Sequence, residues 1–308
     1  MIDILGKRYY FFALSLLLIL PGLLIIAFRG LPLSIDYTGG SMLEVKFASG
    51  TAPTSQEVTA LYNEFGISEA KITAVGKDIL AIRSSMIDEA TRSDIISQME
   101  QRFNDSITVQ RFDTVGPTIG REVTTRAAMA VGAAALAVII YITLAFRKVQ
   151  HAFRYGICAI IAMFHDVLLV FSLIGYGSLL LGWEFDSLFL TAMLSVIGFS
   201  VQDKVVVFDR IRENSAIYRR LPFETLVNHS IIQTLERSIN TQLMTSEFLL
   251  LALALFGGVT LRPFSIILLV GLLMGTYSSI FIAAPVLVIW ENKEWRSWFG
   301  RSQTQAVS

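Results

Sequence analysis

Six separate stretches of this chain are apolar and long enough to cross a bilayer, and no other feature of the sequence restricts its fold as much. A spanning helix needs about 20 consecutive apolar residues, because hydrocarbon offers no hydrogen bonds and the backbone must satisfy its own. The stretches cover residues 11–28, 127–146, 155–173, 188–208, 240–256 and 264–290. They dominate the composition: 54% of the 308 residues are hydrophobic and 16% charged, against roughly 25% charged in a soluble domain. Lys7 and Arg8 precede the first stretch as they would precede the core of a signal peptide. It has full spanning length, no small-residue cleavage site and an internal Pro21-Gly22, so a retained helix is expected.

Charge position sets the expected topology. Lys plus Arg and Asp plus Glu each total 25, which gives no reason to expect a nucleic-acid partner. The basic residues cluster: Lys7 and Arg8; Arg147, Lys148 and Arg154; Arg210, Arg212, Arg219 and Arg220; Lys293, Arg296 and Arg301. Positive charge is retained in the cytoplasm, so these clusters place both termini there. Residues 175–187 contain no Lys or Arg, and the turn near Thr260 has Arg262 alone, so both face outward, as does the long segment after the first span. The expected organisation is a cytoplasmic N-terminus and first helix (1–30), an extracytoplasmic domain (31–125), helices two to six (126–292) with a cytoplasmic connection at 209–236, and a cytoplasmic tail (293–308). This describes a multi-pass protein of the cell (inner) membrane.

The long outer segment has the pattern of a small α+β domain. Leu43, Val45 and Phe47 alternate with Glu44 and Lys46, as on a half-buried strand. Thr54 and Glu57 have capping-box spacing, with Val58, Leu61, Tyr62 and Phe65 at helical intervals and Gly66 as a stop. Residues 71–75 and 79–83 flank Gly76-Lys77-Asp78, a hairpin signal; Ile95, Ile96, Met99 and Phe103 mark a second helix, and Ile107 and Val109 a last strand. The order βαββαβ is that of a ferredoxin-like, split βαβ domain. Cys158 is the one cysteine, so no intrachain disulfide or cysteine metal site is expected, and its apolar setting suits a small core residue.

Ionisable residues inside the spans are the candidates for function. Each costs about 2.5 to 3.5 kcal/mol at the centre of a membrane helix unless paired or wetted. They are His165 and Asp166 in span three, Asp203 and Lys204 in span four, and Arg237 and Glu247 in span five. An acid and a base on neighbouring helices are how proton pathways are built, and the competing reading is inter-helix glue. A carboxylate beside a guanidinium stays ionised until a proton neutralises it, so Asp203 with Arg237 is the expected central pair. Counted from the outer ends of the spans, Asp166 and Glu247 come out level, about 15 Å deep, while Asp203 and Arg237 come out deeper, at about 25 and 30 Å.

Several motifs together resemble the SecF family of the protein-export (Sec) translocase, a branch of the SecD/SecF group in the resistance-nodulation-division superfamily. The longest is the span-four run from Ser195 through Gly198, Asp203 and Asp209-Arg210-Ile211-Arg212-Glu213-Asn214. Asp36-Tyr37-Thr38-Gly39-Gly40 resembles the family's motif after span one, Val115-Gly116-Pro117 with Gly120-Arg121-Glu122 its entry to span two, His165-Asp166 its span-three pair, and Gln233-Thr234-Leu235 with Arg237-Ser238 its span-five motif. The resemblance implies an export-coupled transporter, not an enzyme, in which Asp203 and Arg237 serve proton flow and no cofactor is needed. It also implies SecD, the SecYEG channel, a translocating preprotein and membrane lipids as partners. Half of a small-molecule or lipid exporter of the same superfamily is the alternative.

Other features carry less. A metalloprotease motif such as His-Glu-x-x-His is absent, and the three histidines, His151, His165 and His229, do not form a zinc helix. Gly39 and Gly40 are expected to form a tight turn, Asp209, Arg210 and Arg212 to make boundary salt bridges, and Gly198 and Gly257-Gly258 to mark close helix approach or a helix end. Lys204 departs from the family's small hydroxyl residue: it either holds Asp203 ionised or snorkels inward. Glu247 is either an added outer relay station or a structural partner for His165. A buried carboxylate serves protons and sodium alike, so the residues leave the coupling ion open.

Overall fold

In the computed structural model, residues 3–147, 152–242, 248–256 and 258–294 are described. A 3-10 turn leads into α1 (Arg8–Arg29), and the other long helices are α5 (Pro117–Phe146), α6 (Ala152–Leu180), α7 (Ser187–Ile217), α8 (Phe223–Gln242) and α10 (Gly258–Ser278). α9 (Phe248–Phe256) precedes α10, which continues through a π-helical segment, Ser279–Ala283, into α11 (Ala284–Glu291). Among the described residues five helices are long and apolar enough to cross a membrane: Leu5–Arg29, Pro117–Phe146, Ala152–Leu180, Ser187–Ile217 and Leu261–Glu291. The expected stretch 240–256 is divided between the end of α8 and α9, because residues 243–247 lie outside the description. Glu247, Lys148, His151, Gly257, Arg296 and Arg301 are outside it as well.

The helices run beyond the apolar stretches. α5 begins at Pro117, ten residues before the stretch it contains, because a proline at a helix start gives up an amide that has no intrahelical acceptor. α7 continues to Ile217, and α8 starts at Phe223. Most of the expected connection 209–236 is therefore helical.

The chain divides into two compact units. One comprises Ile25–Ala130 and Ile174–Ser187. It holds a four-stranded antiparallel sheet, β1 (Gly40–Phe47), β2 (Lys71–Ala74), β3 (Ile79–Ser84) and β4 (Ile107–Val115), in the order β2-β3-β1-β4. A single helical turn, α2 (Ile35–Thr38), precedes β1, α3 (Ser55–Glu64) links β1 to β2, and α4 (Glu89–Phe103) links β3 to β4. Because β3 pairs antiparallel with both β1 and β2, and β1 with both β3 and β4, each helix crosses between parallel strands that have one antiparallel strand between them. Leu43, Val45, Phe47, Leu80 and Ile82 of the sheet bury against Val58, Leu61 and Tyr62 of α3 and Ile95 and Met99 of α4. The helix ends follow local chemistry: Thr54 N donates to Glu57 Oε2 (2.9 Å), Thr91 N to Asp88 Oδ1 (2.9 Å), and Asn104 closes α4 in the left-handed region (φ 48°).

The other unit, Met1–Leu24, Val131–Leu173 and Leu188–Ser308, is the helical bundle. Phe146, Tyr155 and Phe208 form an edge-to-face cluster in its core, with Cys158 buried as a free thiol. Close approach between helices falls at Gly22, where an added Cβ would lie 2.7 Å from Ser172 Cα, and at Gly271 and Gly275, which face Val196 and Ser200 of α7. Gly198, expected to mark close approach, has nothing within 4 Å of an added Cβ. The small residues that admit α7 are on α10 instead, and a single glycine in sequence does not reveal which face of its helix a neighbour will use.

Candidate functional site

The buried charge of the bundle collects around two adjacent residues of α7. Lys204 is fully buried, and its Nζ donates to Asp166 Oδ2 (2.6 Å) and Ser278 Oγ (3.0 Å), and to Ser200 through both Oγ and the backbone oxygen, the latter at 3.3 Å. Ser200 Oγ and Ser278 Oγ donate to the same Asp166 Oδ2, at 2.7 Å from Ser278. Asp166 is 1% exposed, and its other oxygen meets His165 Nδ1 at 3.0 Å. The His165 ring stacks on Tyr277, whose hydroxyl donates to Phe11 O (2.9 Å) and lies 3.2 Å from Ser15 Oγ. His165 Nε2 is buried without a hydrogen bond among the described residues. Charge and hydrogen bonds here satisfy one another, as a buried ion pair requires if it is not to destabilise the fold.

Asp203 is arranged differently. It is 9% exposed and makes no ion pair among the described residues; the hydroxyls of Thr276, Ser238 and Ser279 surround its carboxylate, with Ser279 Oγ at 3.5 Å. Thr276 Oγ1 and Ser238 Oγ are buried without a hydrogen bond among the described residues. Both acids are met where α10 passes into the π segment. Pro285 has no amide to donate to residue 281, so the hydrogen-bond ladder must shift there. Such wide turns occur often at functional sites. Ser278, the last residue before that turn, meets Asp166, and Ser279, the first within it, meets Asp203.

Three expectations change. Arg237 is exposed on α8 and forms no ion pair among the described residues, so the pair with Asp203 is not seen; its neighbour Ser238 is the residue that turns to the carboxylate. Lys204 neither snorkels nor binds Asp203 directly, since its hydrogen-bonded acid is Asp166. Asp166 therefore lies beside residue 204 of α7 and not in a separate outer tier. The depth count ended span three near Tyr176, whereas α6 continues to Leu180, and four residues at 1.5 Å each displace the estimate by about 6 Å. The boundary residues form the salt bridges expected of them: Arg210 with Glu213 (2.8 Å) and Arg212 with Asp209 (2.6 Å), while Gln233 receives Arg210 Nε (2.7 Å) and Asn214 Nδ2 (2.9 Å). Ser200 stands inside the span-four motif without a role being legible for it, and nothing in the sequence marks Ser278 or Ser279, because serine is ordinary in an apolar helix until its face is known.

The glycine motif forms a second polar centre, in the sheet-bearing unit. Gly39 and Gly40 both have positive φ (74° and 117°), and a Cβ on Gly40 would come within 2.5 Å of Ser84 O. Only glycine enters β1 this way. Asp36 Oδ2 accepts from Ser187 N (3.0 Å) and Ser187 Oγ (2.6 Å), so it caps the start of α7. Residues 32–34 pair with Phe185 through Ser34 N to Phe185 O (2.9 Å) and Phe185 N to Pro32 O (2.6 Å). Arg83 braces the same place, donating to Leu33 O and Thr38 Oγ1 and reaching Glu184 Oε1 at 3.4 Å. Burial raises the Glu184 carboxyl above its ordinary range against the opposing pull of Arg83, and it pushes the Tyr37 phenol up to about 12.

Among the described residues no group of His, Cys, Asp and Glu has the makings of a metal site. The profile of the family described as protein export membrane protein SecD/SecF, C-terminal, matches residues 95–293, and that of the SecD/SecF GG motif matches residues 24–50. The chain is 67% identical over 306 residues to the protein translocase subunit SecF of Anaerolinea thermophila, covering 99% of each. It is 34% identical to the protein translocase subunit SecDF of Thermus thermophilus, covering 94% of this chain and 39% of that one. The crystal structure of the Thermus SecDF, a translocon-associated membrane protein, superposes with a TM-score of 0.80 at 33% identity over 94% of this chain and 39% of the other.

Proposed function

The chain belongs to the SecD/SecF family of protein export membrane proteins, and from that premise we propose an auxiliary subunit of the Sec machinery in which proton flow through the bundle drives movement of the outer domain and export of preproteins. The observation that carries this reading is the contrast between two buried acids. Asp166 is neutralised by Lys204, whereas Asp203 has hydroxyl neighbours and no counter-charge in contact among the described residues. An ionised carboxylate in such a place is costly, and a proton removes the charge without needing room. Protonation of Asp203 then changes how α7, α8 and α10 pack, since Ser238, Thr276 and Ser279 surround that one group. Arg237, exposed one residue before Ser238, acts from the surface of the bundle and not by pairing with Asp203.

The same reading sets the wider architecture. The α8–α9 stretch supplies span five, both termini are cytoplasmic, and the βαββαβ unit is a ferredoxin-like extracytoplasmic domain offered to the emerging preprotein. SecD supplies a further set of spans, consistent with a Thermus SecDF of which this chain matches 39%, and the SecYEG channel lies beside the pair. Replacing Asp203 by Asn tests the mechanism, because the amide keeps the shape and loses the proton site. In inverted vesicles the variant is expected to insert and assemble normally yet show no gradient-stimulated export. Full activity would refute the proton-carrier role.

A further inference from the structure

We propose that Lys204 determines which ion can drive this protein: its ammonium is a tethered cation seated in an oxygen cage on Asp166, and by filling that cage it excludes sodium and leaves coupling to protons. The inference rests on the proton-coupled reading above and adds the residue that keeps sodium out.

The cage is defined by four oxygens around Lys204 Nζ: Asp166 Oδ2 at 2.6 Å, Ser278 Oγ at 3.0 Å, Ser200 O at 3.3 Å, and Ser200 Oγ. One carboxylate, two hydroxyls and a peptide carbonyl form a set of hard oxygen donors, the kind that holds a small hydrated-in-water metal cation. A lysine ammonium has three hydrogens to donate, so four oxygens are more than a salt bridge needs. The four oxygens come from three residues on three helices, with Asp166 from α6, Ser200 from the preceding turn of α7 and Ser278 from the last turn of α10. Three helices thus converge on one monovalent charge.

That charge is delivered by a covalent stem and cannot exchange with solvent. Lys204 is 0% and Asp166 1% exposed, so both partners of the pair are closed off from solvent. A sodium ion arriving at Asp166 would meet a carboxylate already neutralised and an ammonium at contact distance. Asp203 is the next residue of α7, so its carboxylate lies within the field of the same ammonium. A metal ion there would add charge beside Lys204, whereas a proton removes the carboxylate's charge and adds none. Among the described residues, the other titratable side chains at the cluster are His165 on α6 and Tyr277 on α10.

The test measures sodium binding directly in the purified full chain, by following thermal unfolding in sodium chloride and in choline chloride at equal ionic strength. The native protein is expected to unfold at the same midpoint in both. Lys204→Ser vacates the cage and adds a hydroxyl, so sodium should raise its midpoint saturably over choline, and the response should vanish when Asp166→Asn is added. Lys204→Met fills the space with an apolar stem and is expected to show no sodium response. Should Lys204→Ser fail to fold, Lys204→Gln, which removes the charge and retains the reach, is expected to give the sodium response instead. A sodium-specific shift in the native protein overturns the proposal, and so does indifference to sodium in Lys204→Ser, or in Lys204→Gln where Lys204→Ser does not fold. Loss of gradient-stimulated export is a separate result: it would count against the coupling reading while leaving the sodium measurement valid.

Discussion

Replacing Asp36 by Ala removes both hydrogen bonds that fasten the first turn of α7. In the native protein one carboxylate oxygen accepts from Ser187 N at 3.0 Å and from Ser187 Oγ at 2.6 Å. Loss of an N-cap costs about 1 kcal/mol, reaching about 2 in some protein helices. The carboxylate also faces the positive end of the helix dipole, worth about 0.3 to 1 kcal/mol at a surface position, and solvent at this half-buried site reduces that share. Together these effects come to about 1 to 2 kcal/mol, a factor of about 5 to 30 in the opening equilibrium of the turn. Hydrogen exchange followed by mass spectrometry should therefore show faster exchange by that factor in a peptide covering residues 188–195. Strands β1 to β4 should keep their protection, because the sheet core does not involve Asp36. Asp36→Asn, which retains an acceptor and loses the charge, should give a smaller effect in the same peptide. Unchanged exchange in the Ala variant, or acceleration spread evenly over the sheet, would refute the capping role.

Two further outcomes follow from packing and burial. Gly22→Ala should lower the thermal midpoint of the detergent-solubilised chain, since its Cβ would sit 2.7 Å from Ser172 Cα and overpacking costs about 1 to 3 kcal/mol; Gly198→Ala, with nothing within 4 Å, should be neutral or slightly stabilising in the same measurement. Glu44 is 6% exposed in β1, and burial raises its carboxyl above the ordinary value against a weaker pull from Arg111. A raised folded-state pKa contributes stability at low pH that is lost as pH rises through that value. Glu44→Gln should therefore slow hydrogen exchange of β1 at pH 7 and above, with the difference from the native protein disappearing as pH falls below the ordinary carboxylate range. A variant less protected than the native protein at pH 8 would contradict this.

The sequence alone determined five of the six expected spans and the element order of the sheet-bearing unit, because both depend on one-dimensional patterns. An apolar stretch of bilayer length has few alternatives, and alternation at Leu43, Val45 and Phe47 or helical spacing at Val58, Leu61 and Tyr62 fixes a face regardless of what packs on it. The family motifs also located Asp166 and Asp203 as the buried acids. Tertiary structure alone decided how these groups meet. A residue's neighbours in a helical bundle depend on axial offset and rotation, and neither is encoded locally. Extending α6 by four residues beyond Tyr176 was enough to bring Asp166 against Lys204, and turning α8 left Arg237 exposed while Ser238 faced Asp203. The π turn before Pro285, at whose start Ser278 meets one acid and Ser279 the other, has only a proline to signal it. The docking of Ile174–Ser187 into the sheet-bearing unit was invisible for the same reason: its contacts with Leu33, Asp36 and Arg83 join segments about 100 to 150 residues apart, and local propensity does not encode a pairing at that separation.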